Sequence, residues 1–245
     1  MIEILQWSTL AVCCAAAVAR IPSAIRGENR SLFYIFVLAT LAILLSIDGP
    51  YLAIDRVLGG SNITNLILRF IIFGVIFFIA LRFIKAFGAD GCRRCLLGLP
   101  GVLVLGVISA VMVAFFLMMD TSGSSAGLAA LSGRSARNAH LVEYYGAAGR
   151  AYPAYVSLVL LPAMVKAVAS RRLPALVRTG ALLLALGGIS LTVSLLFPFI
   201  PAQWHPLRFF INYGAALCFV LGLAAFWFGR VRAAEPATRR SSTAK

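Results

Sequence analysis

One arginine stands where a charge is costly. Arg69 lies inside the apolar block 63–84, about 9 Å past its start at about 1.5 Å per helical residue. A guanidinium left unpaired at that depth of a bilayer is heavily penalised, so it should reach outward to the interface or pair with a carboxylate. Asp55 and Asp48 are the nearest partners in sequence, and Glu143 and Asp120 map to the same side. Such a group could be an anion or substrate site, a gating ion pair, or a structural salt bridge. Arg69, Asp48, Asp55, Glu143, His205 and Arg208, with His140 beside them, all map to the outer side and form the candidate lining of an outward-facing ligand pocket. His205 and Glu143 could exchange protons there near neutral pH.

Other motifs carry less. Cys92-Arg93-Arg94-Cys95 is a CxxC, but a structural zinc needs four ligands, usually two such pairs. Flanking arginines would lower a thiol pKa and favour a reactive pair, yet a thioredoxin-like context is missing. Asn62-Ile63-Thr64 matches a glycosylation sequon by chance. There is no phosphate loop, HExxH, GxSxG or dinucleotide fingerprint. Ser190, Thr192 and Ser194 suit hydrogen bonds between helices. No cofactor is implied, and catalysis is the least favoured class because no nucleophile–base or metal set stands out.

The elements that must position these residues are membrane helices. The 245 residues are 61% hydrophobic and 12% charged, with a mean hydropathy of +0.95. The apolar residues come in blocks long enough to cross a hydrocarbon core of about 30 Å. The net charge of +14 flanks those blocks. It therefore reads as topology signal and as contact with anionic lipid headgroups at the cytoplasmic face, not as a nucleic-acid footprint.

The expected fold is all-α: a polytopic helical bundle of seven transmembrane helices at about 4–19, 32–54, 63–84, 96–119, 151–169, 176–200 and 207–228. An outer loop of 120–149, with a short interfacial helix at 138–148, and a disordered basic tail of 231–245 complete the chain. Asp48-Gly49-Pro50 should kink or end the second block near the outer surface, since proline removes a donor and disfavours helix before it. Gly106, Ala110 and Ala114, and again Gly214, Cys218 and Gly222, form small-residue stripes that admit a neighbouring helix.

Orientation follows from the basic residues. The segments assigned inside hold three (Arg20 to Arg30), four (Arg82 to Arg94), four (Lys166 to Arg178) and five (Arg230 to Lys245) of the 22 lysines and arginines. Arg56, Arg69, Arg134, Arg137, Arg150 and Arg208 fall outside. Each inner segment is richer than its outer neighbours, which places the N-terminus out and the C-terminus in.

Arg20-Ile21-Pro22, Arg30-Ser31-Leu32-Phe33, Asp48-Gly49-Pro50, Asp55-Arg56, Gly59-Gly60-Ser61-Asn62-Ile63-Thr64 and the basic Arg69 resemble the motifs of a group of actinobacterial seven-helix membrane proteins of unassigned function, often labelled transporters. The likeness covers about the first 90 residues by motif and the rest by topology. It implies a bacterial plasma-membrane protein. Many members carry a soluble cytoplasmic domain after the last helix; none is expected here, where 15 residues follow Arg230. The leading expectation is a sensor or interaction protein with an outer ligand or partner site and a protein partner in the membrane or cytoplasm. The alternative is a small permease, or a membrane subunit of one, with Arg69 and nearby carboxylates in its path.

Overall fold

A computed structural model of the chain describes residues 2–27, 30–200 and 205–242, and they are helical with connecting turns. Ten α-helices follow in order: α1 Ile2–Ile25, α2 Arg30–Leu44, α3 Asp48–Val57, α4 Ile63–Phe87, α5 Asp90–Leu97, α6 Leu99–Met118, α7 Ala129–Ser132, α8 Ala136–Ala169, α9 Ala175–Val193 and α10 His205–Ser242. Five stretches are long and apolar enough to cross a membrane: Gln6–Ile25, Ile63–Phe87, Leu99–Met118, Ala136–Ala169 and Ala175–Phe199. The α2–α3 pair makes six if counted as one span, and Phe210–Phe226 is a shorter apolar stretch within α10. A bilayer offers the backbone no partners, so each crossing must be a helix that satisfies its own peptide groups.

The block expected as one helix over 32–54 is two, bent by 89°. The break lies at 45–47, ahead of Asp48-Gly49-Pro50, because proline is tolerated in a first helical turn and Pro50 is the third residue of α3. Asp48, also in that turn, is favoured there by the helix dipole. The 15 residues of α2 reach only about 22 Å. Other boundaries move too. The loop expected over 120–149 is short, because α8 begins at Ala136 and runs unbroken to Ala169. The block at 96–119 divides into α5 and α6 at Gly98. The last helix continues to Ser242, through most of the segment expected to be a disordered tail.

The chain divides into two compact units, Met1–Val156 and Ser157–Lys245. In the first, α1 packs on α2 and α2 on α4. Tyr34 stacks on Phe78 at 5.2 Å. Helices α4 and α8 run parallel with a nearly constant offset: Tyr145 bonds Asn65, Gly149 meets Arg69, and Tyr152 packs on Phe73 at 5.1 Å. In the second unit, α9 and α10 are antiparallel. A Cβ on Gly180 would lie 2.9 Å from the Gly222 carbonyl oxygen, and one on Gly187 would lie 3.2 Å from that of Ala215. The Cys218 and Gly222 end of that small-residue stripe is thus a helix contact. The α6 stripe is not: Gly106, Ala110 and Ala114 are exposed, and a Cβ on Gly106 would meet open space.

Candidate functional site

The turn from α3 into α4 is built around one buried carboxylate. After Val57 the chain reverses through Gly59 (φ +97°), Gly60 (φ +66°) and Asn62 (φ 57°). Glycine adopts that left-handed region freely, and asparagine is among the few other residues that tolerate it. The first N–H groups of α4 have no partner within their own helix. Asp55, fully buried, supplies one: its carboxylate accepts from the Asn62 amide at 3.0 Å and the Thr64 amide at 3.1 Å. The Ser124 hydroxyl donates a third bond at 2.6 Å. Asp55 is therefore the cap of α4, delivered from the preceding helix.

Asn62 completes the knot. Its side-chain oxygen accepts from the Tyr51 hydroxyl at 3.0 Å and the Ser125 amide at 2.8 Å. Its side-chain nitrogen donates to the carbonyls of Thr121 at 3.0 Å and Gly123 at 2.9 Å. All four capacities of the amide are used, and each bond to residues 121–125 ties the loop after α6 to the α3–α4 turn. Asn62 is 0% exposed, so the sequon cannot carry a glycan in this fold. Asn62→Gly keeps the backbone conformation but loses these bonds, whereas Asn62→Ala loses both. The alanine variant is expected to be less stable than the glycine variant by about 1–2 kcal/mol, read by thermal unfolding in detergent. Equal melting points would mean that the left-handed conformation carries no cost here.

The far side of the loop is held separately. Asp120 accepts from the Ser122 amide at 3.2 Å and hydroxyl at 2.7 Å, and pairs with Arg134 at 3.0 Å. The Ser122 bonds, with Arg134 behind them, lower the Asp120 pKa. Asn138 accepts from the Asp120 amide at 2.9 Å and donates to the Leu131 carbonyl at 2.8 Å.

Arg69 does not pair with Asp55 or Asp48. Half-buried, it lies 5.7 Å from the centre of the Tyr145 ring. Its Cδ, Nε and Nη1 lie 3.0–3.1 Å from where a Cβ on Gly149 would be. A side chain there would push the guanidinium aside by a few tenths of an ångström. The Tyr145 hydroxyl in turn donates to Asn65 at 3.0 Å. Arg69 is thus accommodated by a ring face and a glycine about eighty residues further along.

Of the predicted lining, Asp55 and Arg69 belong to the first unit but do not touch, and Asp48 is exposed at the start of α3. Glu143 is half-buried on α8, and His140 is exposed one turn earlier. Arg208 belongs to the second unit: it bonds the carbonyls of Phe197 and Ile200 and lies over the Phe197 ring, closing the turn before α10. The His205 side chain lies outside the described residues. Sequence reasoning missed Tyr51, Asn65, Ser124 and Tyr145, and gave Asn62 no role beyond a chance sequon. The available signal was Gly59-Gly60-Ser61-Asn62 ahead of an apolar run, a turn rich in residues that allow positive φ.

No three His, Cys, Asp or Glu side chains among the described residues gather to hold a metal. Cys92 and Cys95 share α5 without a disulfide, Cys95 exposed and Cys92 half-buried. Burial, then the neighbouring Cys95, pushes the Cys92 thiol up, opposite to the activation expected from two arginines. Against known proteins, no family model, no characterised relative and no solved structure matches the chain.

Proposed function

We propose that this is a seven-span protein of the bacterial plasma membrane, N-terminus outside and basic C-terminus inside, that acts as a sensor or interaction protein through its outer face. The bent α2–α3 pair is then the second span and Phe210–Phe226 the core of the seventh. The excess of lysine and arginine in the inner segments supports the orientation.

One observation carries the choice over a permease: the buried Asp55 carboxylate, with its bonds from Asn62, Thr64 and Ser124. A carboxylate in a transport path must exchange partners as the substrate passes. Asp55 instead anchors the outer loop. The groups left for recognition are exposed charges around that anchored loop: Asp48, the Asp120–Arg134 pair, Arg137 and His140. A rigid polar surface of this kind suits a peptide or protein partner outside.

Cysteine accessibility tests the reading in a background where the five native cysteines are replaced. Arg137→Cys should react with an impermeant maleimide added outside intact cells, and Arg171→Cys only after the membrane is opened. Asn65→Cys and Arg69→Cys should react from neither side. Labelling of position 137 only from inside would overturn the orientation. Reaction of position 69 from both sides would favour the permease.

A further inference from the structure

We infer that the groove between α1 and α2 is a binding site for an anionic phospholipid, with one acyl chain along the groove and the phosphate on Arg30. Two cavities of about 300 and 240 Å³ open there, and they share Ile21 and Phe33 as walls. They form one continuous groove from Arg30 at the rim to Leu41 and Cys14 at the far end. Leu41 lies eleven positions after Arg30 in α2, a length of about 16 Å, which is roughly half of a hydrocarbon core of about 30 Å. The groove therefore has the depth of one leaflet, the reach of a single acyl chain.

Its walls suit a chain. The hydroxyl of Thr40, a polar side chain in the deep part, bonds the Phe36 carbonyl of its own helix at 2.7 Å. The remaining deep walls, among them Ala17, Val18 and Val37, are apolar. Tyr34, on the rim, is held by its stack on Phe78.

The rim suits a phosphate. Gly27, at φ +82°, turns the chain between the helices, and the Arg30 Nε donates to the Ala24 carbonyl at 3.4 Å. That bond folds the guanidinium back over the end of α1, and its two terminal nitrogens have no partner among the described residues and are placed for an oxyanion. Arginine is suited to such planar, bidentate contact with phosphate. Arg20 and Arg26 are exposed at the same end and add to the attraction for an anionic headgroup.

The test is native mass spectrometry of the full chain, purified in a neutral detergent and supplied with phosphatidylglycerol or phosphatidylcholine. One phosphatidylglycerol should be retained. Arg30→Gln should lower its retention about tenfold, as expected for loss of a charge-assisted contact, while Arg171→Gln, in another basic segment, should not. Val18→Trp, at an exposed part of the groove wall, should lower it similarly with an unchanged melting point. As a readout that does not depend on that variant, Leu41→Trp in a background with the native tryptophans replaced should be quenched by phosphatidylglycerol with brominated chains, and less once Arg30→Gln is added. The inference falls if retention ignores both Arg30→Gln and Val18→Trp. It falls if only Arg30→Gln matters, since that is surface attraction without a groove, or if Leu41→Trp is quenched equally with and without Arg30→Gln. It also falls if a dimer blocks labelling of the groove with no lipid bound, since the occupant is then a second copy.

Discussion

Asp55→Ala is expected to be the most destabilising single change around the α3–α4 turn. It leaves the Asn62 and Thr64 amides and the Ser124 hydroxyl facing a buried space with no acceptor. Each buried group orphaned in this way costs about 1–3 kcal/mol, so the total should be about 3–5 kcal/mol after local relaxation. Asp55→Asn should cost less, because one oxygen can still accept. Hydrogen exchange should show the loss where it arises, as faster exchange in peptides spanning 58–66 and 119–128 and little change in α9. Unchanged exchange in both peptides would sink the capping role.

The loop after α6 has a pH dependence of its own. The bonds from Ser122, with Arg134 behind them, lower the folded-state pKa of Asp120. A carboxylate with a depressed folded pKa contributes stability that is complete above its unfolded value, about 3.9, and is lost as pH falls through the folded one. That loop should therefore be insensitive to pH near neutrality and loosen only in acid below about pH 4. Asp120→Asn should remove part of that acid response.

Gly101→Ala is expected to have the second largest effect. A Cβ at Gly101 would lie 2.1 Å from the Leu96 carbonyl oxygen and 2.6 Å from that of Cys95. Both are backbone atoms, so the corner between α5 and α6 must open. Overpacking of this kind costs about 1–3 kcal/mol, occasionally more. Opening should also break the bond from the Tyr155 hydroxyl to the Cys95 carbonyl, 2.7 Å long, and make the half-buried Cys92 react faster with maleimide. Gly106→Ala is the matched control: it lies in the same helix, faces open space, and should be neutral or slightly stabilising, since alanine is the better helix former. Equal melting points for the two variants would mean that the corner is free to move.

The apolar blocks were legible as helices because length and hydropathy alone oblige a bilayer-crossing segment to satisfy its own backbone. The break near Asp48-Gly49-Pro50 was legible because proline acts locally. Its exact place was not: whether Pro50 ends one helix or begins the next depends on the turn that α3 must make. Arg69 was legible as an unusual charge, and Asp55 as a candidate partner, but nothing local reveals that Asp55 is consumed by amides seven and nine residues later, at the start of the next helix. Nor does local sequence show that Arg69 finds its place on Tyr145 and Gly149, across a parallel helix pair. The small-residue stripes make the same point, since one in α10 packs against α9 while a similar one in α6 faces outward. By itself, then, the sequence determined what each segment had to be, because burial of backbone in lipid is a local demand. Only the tertiary structure decided which polar groups met, because a hydrogen bond or ring contact depends on the register of helices far apart in the chain.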